Sequence, residues 1–252
     1  STLRTMDDFA NLSRVMVERG NLTASRRIAA DMKREWRGDK QAEMAALVSE
    51  SLCLNAEGLP EKAKTLVDKA LDLQNQVAAE TLEQGKHCSQ RMTIDLAHAC
   101  FVTGKEEDAH SLLRQVAAEN NDDPHLIEQI TSVFEKTGQA DVGKALLDQV
   151  SREIIELNNR GVLAARAGDL EGAVQMLIQA ADKVPNLQFL VNAAKAIFTL
   201  LDKRGWDHNL AAKGSEYLER AQRKDSKNRK LASARELYVT VAKKYGKLKD
   251  AG

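Results

Sequence analysis

Four side chains able to hold a transition metal stand close together in this sequence: His87, Cys88, His98 and Cys100. Imidazole and thiolate are the ligands that zinc takes, as spaced pairs in its structural sites. Here the histidine and cysteine are direct neighbours in the first pair and one residue apart in the second, which fits no common structural zinc pattern. Cys100 also falls at a core position of its helix, so the residues read as structural thiols and imidazoles. Other chemistry has less to stand on. The chain holds no GxSxG elbow, no glycine loop to cradle phosphate and no HExxH helix. The neighbouring acids Glu106 and Glu107 open a helix, where the dipole favours carboxylates without any catalytic role. No catalytic residue, metal or cofactor is expected, and the side chains left to explain are those that recognise a partner.

The elements that must position them are helices. Alanine, leucine, glutamate and lysine dominate, aromatic residues make up 4%, and three prolines interrupt 252 residues. Glycines recur at Gly20, Gly58, Gly104, Gly138 and Gly168, each opening a similar helix-forming stretch. Gly104 and Gly138 are 34 residues apart, a period that marks stacked helical hairpins. The clearest unit is IIELNNRGVLAARAGDLEGAVQMLIQAADKVPNL, from Ile154 to Leu187. Leu157, Gly161 and Ala164 share a face of its first helix; Ala173, Leu177 and Ala180 share a face of its second. Asp169 is placed to cap the second helix and Pro185 to end it. Gly161 and Ala173 are expected to face each other across the hairpin.

This small–large–small pattern resembles the tetratricopeptide repeat. The register extends to units near residues 6–43, 44–89, 90–123, 124–153, 154–187 and 188–226, followed by a polar capping helix over 227–245. The resemblance implies one all-α domain, a right-handed α-solenoid of hairpins in which each unit packs on its neighbours. The wide gap between Gly58 and Gly104 holds an insertion around Val77 to Lys86, near Thr81, expected as a helix extension with a longer loop. A second insertion forms the turn Arg204-Gly205-Trp206-Asp207-His208. Trp36 and Trp206 sit near hairpin turns and are expected to plug them.

A second resemblance covers about half the chain. The segment from Asn120 to Tyr238, with its ELNNRGV stretch and the GWD turn before YLERA, is similar to the C-terminal half of bacterial response regulators that join a receiver domain to tetratricopeptide repeats. No alternation of strands and helices is present, so no phosphoacceptor aspartate is assigned. The resemblance implies a protein–protein interaction module, the output or adaptor part of a two-component regulator whose receiver is absent from this chain. The alternative is a stand-alone scaffold or assembly factor that binds an extended peptide.

In such an array the first helix of each hairpin builds the concave wall. The register places Arg91, Asp95 and His98 there from the third unit, Glu128, Gln129 and Ser132 from the fourth, and Asn158, Asn159 and Arg166 from the fifth. Asn192 and Lys195 extend the row. Polar side chains of these types grip peptide backbones and termini; the alternative is a solvated wall with no defined ligand. The lysine, asparagine and arginine set that holds a terminal carboxylate in some tetratricopeptide adaptors does not recur over three units, since Ile94 and Glu128 stand where cations are wanted.

Formal net charge is zero, which gives no overall pull toward nucleic acid or an anionic membrane. From Arg220 to Gly252, however, eleven Lys or Arg oppose three Asp or Glu. That basic tail allows a nucleic-acid contact, but its aromatics are Tyr238 and Tyr245 alone, which favours a solvated capping helix over a base-stacking surface. The charge asymmetry also suits head-to-tail contact between copies, a homo-oligomer. Cys53, Cys88 and Cys100 form no CxxC pair and read as reduced thiols of a cytoplasmic protein. No apolar run reaches bilayer-spanning length and no signal-peptide pattern opens the chain. It begins at Ser1 without a methionine and reads as helix by Asp7, as expected of a fragment of something longer.

Overall fold

The computed structural model describes residues 5–84 and 89–248. His87 and Cys88 lie outside the described residues. Among those described are twelve α-helices and no strand: α1 (Met6–Glu18), α2 (Leu22–Glu35), α3 (Lys40–Ala56), α4 (Pro60–Gln84), α5 (Gln90–Val102), α6 (Glu106–Glu119), α7 (Pro124–Lys136), α8 (Ala140–Ala167), α9 (Leu170–Lys183), α10 (Leu187–Arg204), α11 (His208–Lys224) and α12 (Arg229–Lys244). None is long and apolar enough to cross a membrane. The all-α class expected from composition and period is the observed one.

Local chemistry starts and stops these helices. Asp39, Asp123, Asp169, Asn186, Asp207 and Asn228 each accept a hydrogen bond from a backbone N–H of the helix they precede. Each such cap is worth about 1 kcal/mol. Thr5 and Asp8 form a reciprocal capping box at the start of α1. At the other end, Gly104 and Gly138 take φ of 77° and 73°, where a side chain would be strained. That turn lets the next N–H fold back onto the finished helix, Lys105 to the Cys100 carbonyl at 2.8 Å and Gln139 to Phe134 at 2.7 Å. The recurring glycine is thus a helix terminator that reverses the chain.

The chain divides into two compact units, one holding α1 to α7 and residues 140–147 of α8, the other the rest of α8 with α9 to α12. In the first unit α1–α2, α3–α4 and α5–α6 pair as hairpins. The first helices form their own row, α1 on α3, α3 on α5 and α5 on α7. Small residues set the spacing. Ser13 and Ser25, both fully buried, bond hydroxyl to hydroxyl at 2.9 Å between α1 and α2. Gly143 lies under the Phe134 ring, where a Cβ would come within 2.5 Å of Cγ. Met32, Met44, Leu96, Cys53 and Cys100 are wholly enclosed. Trp36 meets Phe9 edge-on at 5.3 Å and half-buries itself at the end of the first hairpin, as a plug. The insertion near Thr81 lengthens α4 to Gln84, and Lys40 holds Glu80 of that extension at 2.5 Å.

In the second unit α9, α10, α11 and α12 follow one another. Gly214 of α11 lies under Phe198 of α10, 2.7 Å from where its Cβ would stand. Tyr217 is fully buried and donates its hydroxyl to Asp182 at 2.6 Å, while Lys213 reaches the other carboxylate oxygen at 3.0 Å. α12 runs parallel to α10 with a constant offset: Lys230 meets Gln188 at 2.6 Å and Lys244 meets Asp202 at 2.7 Å. Trp206, half-buried in the inserted turn, packs beside Tyr245 at 6.3 Å.

Two details differ from the sequence reading. The repeat register bounds one unit at residue 153 and begins the next at 154, but α8 passes through Glu153 and Ile154 as unbroken helix. The stretch QVSREIIEL offers no glycine, proline or Asx residue to end it. And the side chain opposite Gly161 is Leu177, 2.6 Å from a Cβ built there, rather than Ala173; glycine is needed because a large residue, not a small one, fills the crossing. Gly161→Val is therefore expected to cost about 1–3 kcal/mol by overpacking. Urea denaturation of the full chain measures it, and an unchanged midpoint would mean that α8 and α9 can part freely.

Candidate functional site

Each unit gathers its share of the expected concave residues into a cleft of its own. In the first unit Arg91, Asp95 and His98 of α5 and Gln129 and Ser132 of α7 line a cavity of about 110 Å³. The other wall is α1, which packs on α5 as well as on α3. Arg14 of α1 sits 3.3 Å from Asp95, Lys136 of α7 sits 2.6 Å from Glu18, and Ser89 donates to Asp7 at 2.5 Å. Apart from Arg91, the cations and carboxylates named here answer one another, and the space left suits a few waters rather than a peptide chain. Glu128, expected in the same row, is exposed and lies outside the cavity. Sequence reasoning could not see this closure, because it depends on how far the row curves rather than on which residues face inward.

Electrostatics follow from the enclosure. Burial pushes the Asp95 carboxyl up to about 7, against the pull of Arg14. Its side chain keeps 19% of its surface open, so desolvation is incomplete. Burial likewise lowers the His98 imidazole, with Lys136 adding to the effect. Burial raises Glu18, but Lys136 and Arg14 outweigh it and hold the carboxyl below its usual range. Cys100, enclosed among apolar neighbours, is pushed up to about 12 and is a core thiol.

The second unit is open. Asn158, Asn159 and Arg166 of α8 and Asn192 and Lys195 of α10, all expected, line one cleft of about 570 Å³. Val162 and Leu163 of α8, Gln188 of α10 and Lys230 of α12 complete it. Its floor is a run of amides. Lys230 donates to Gln188 at 2.6 Å, Gln188 to Asn192 at 2.6 Å, Asn192 to Asn158 at 3.1 Å, and Asn158 to Asn159 at 3.5 Å. Asn158 is 4% exposed, so it braces the floor where the sequence reading made it a ligand contact. No Asp or Glu lines the cleft. Neither Arg166 nor Lys195 has a side-chain partner among the described residues.

Lys230 and Leu163 escaped the sequence reading for different reasons. Lys230 belongs to α12, read there as the polar capping helix, which lies beside α10 with Lys230 reaching Gln188. Leu163 is 60% exposed, and Ile155, 50% exposed, shares its helix. The available signal was that both stand off the Leu157–Gly161–Ala164 stripe that packs inward.

No protein-family model matches the sequence, and no curated protein matches it. Among solved structures, the TPR2AB-domain:pHSP90 complex of yeast Sti1 is 14% identical, with 94% of this chain and 98% of that one covered at a TM-score of 0.29.

Asp95 makes the first cleft testable. Its ordinary carboxyl value of 3.8 applies in the unfolded chain and about 7 in the folded one. The unfolded state therefore releases this proton first, and the group weakens the fold progressively as pH rises from 3.8 to 7. Asp95→Asn removes that penalty. The stability of the variant relative to the native chain is expected to climb across that window by on the order of 1–3 kcal/mol and then level off. Urea unfolding at a series of pH values measures it; a difference that stays flat would show that Asp95 is ordinarily hydrated.

Proposed function

We propose that this chain is a protein–protein interaction module that takes an extended segment of its partner across α8, α10 and α12. The observation that supports this is the open cleft of about 570 Å³, with amides and unpaired cations converging from three helices onto one surface. A cleft of that kind presents hydrogen-bonding groups and charge along a line, as peptide grooves do. A small-molecule site would enclose its ligand on most sides. On the first unit's face Asp95 and Lys136 pair with α1, and the cavity there is about 110 Å³.

Within this reading the module is the output part of a response regulator, and its partner a signalling protein. That finer reading rests on the likeness of residues 120–238 to the tetratricopeptide half of such regulators. A receiver domain encoded immediately before this segment in the full-length gene would bear it out. An open reading frame beginning here would leave a stand-alone scaffold instead.

The groove itself is tested with the full chain and a random dodecapeptide display library. Enriched peptides are expected to bind the native chain and to lose about tenfold in affinity, or about 1.4 kcal/mol, with Arg166→Gln or Asn159→Ala. Arg91→Ala, in the first cleft, is expected to leave binding unchanged. Failure to enrich any peptide, or equal binding by the cleft variants, would count against the reading.

A further inference from the structure

We infer that the segment taken by the second cleft is acidic: an internal stretch of extended chain with Asp or Glu at about every fourth position and an apolar residue between. This rests on the peptide-binding reading and names the class of peptide. Arg166, Lys195 and Lys230 bring three positive charges to a surface lined by no carboxylate. The surroundings therefore leave this charge uncompensated, and a ligand of opposite sign is favoured over a neutral one.

Spacing comes from the helix register. Lys230 stands beside Gln188, and Lys195 is about 10 Å further along α10 at 1.5 Å per residue. Asn158 stands beside Asn192, so by the same rise Arg166 lies about 7 Å beyond the level of Lys195. Neighbouring helices are roughly 8–10 Å apart, so the three cations form a diagonal with steps of about 11–14 Å. Extended chain covers such a step in about four residues at roughly 3.3 Å each.

The arrangement selects against the other anions. A chain-terminal carboxylate needs several donors converging on one point, but the amides of Asn158, Asn192 and Gln188 are already bonded to each other. Single-stranded nucleic acid needs aromatic faces to stack its bases, and no Phe, Tyr, Trp or His lines the cleft. Leu163, 60% exposed between the charged positions, offers an apolar contact that a peptide side chain can cover.

The test uses the full chain and fluorescein-labelled dodecapeptides read by anisotropy. One carries glutamate at every fourth position, leucine between and an amidated C-terminus; a second replaces each glutamate with glutamine; a third has a free C-terminal acid. A dodecamer of deoxythymidine is the competitor. The glutamate peptide is expected to bind at least about tenfold more tightly than the glutamine one, and Lys195→Gln or Arg166→Gln to remove most of that difference. Raising NaCl from about 50 to about 300 mM is expected to weaken binding, and amidation to make no difference. Both substitutions are on helix surfaces, and an unchanged thermal melt by circular dichroism confirms that the variants fold. Equal affinity for the glutamine peptide, unchanged binding by the variants, a requirement for the free terminal acid, or displacement by the oligonucleotide at equal concentration would each overturn the inference. Library peptides that need the cleft but carry no excess of Asp or Glu would overturn it too while leaving the peptide-binding reading intact. Binding of neither library nor glutamate peptide would remove both.

Discussion

Two helices can lie only as close as the side chains between them allow, and four of the crossings described above meet that limit with a small residue. Gly143 beneath Phe134, Gly161 beneath Leu177 and Gly214 beneath Phe198 each admit one large side chain into the space a Cβ would take. Ser13 and Ser25 achieve the same with hydroxyls that satisfy each other. The pairing of a small residue with a large one gives a tight crossing without a void, so burial of the large side chain stabilises the hairpin instead of propping it open. Close crossings then bring the first helices of successive hairpins side by side, and it is their side-by-side faces that carry all the polar groups of interest.

The two units use that face in opposite ways. In the first, α1 contributes Arg14 and Glu18 to the polar surface of α5 and α7, and the ion pairs made there leave only a small hydrated space. Ion pairs of this sort, partly open to water, add modest stability, and their effect is mainly to fix one arrangement of the helices. In the second, amides bond to amides and the cations are left over. The first surface is thus largely taken up by its own ion pairs, and the second leaves its cations free of any carboxylate.

Much of this was legible in the sequence, and the reasons are physical. Helix class, the cap at Asp169 and the recurring glycines are local properties, set by a few adjacent residues. The convergence of Asn158, Asn159, Arg166, Asn192 and Lys195 was also readable, because it needs only a helical period and a repeat length. What escaped depends on longer-range geometry. The contact of α1 with α5 reflects curvature, which no single repeat encodes. The continuity of α8 through Ile154 reflects the lack of a breaker, a weaker signal than the repeat that suggested one. Lys230 was hidden because the sequence of a polar last helix does not say which of its side chains reach the helix it covers.

The chain of amides beneath the second cleft has one more property. A carboxamide can be turned over, exchanging its donor and acceptor ends, and a row of them can in principle point either way. An ammonium has no lone pair to give, so Lys230 compels Gln188 to offer its oxygen, and that choice is inherited in turn by Asn192, Asn158 and Asn159. The row acquires a polarity set at one end by a single positive charge. At the far end, on α8, exposed Asn159 accepts in its turn, which leaves its N–H groups as the donors that an incoming carbonyl or carboxylate would use.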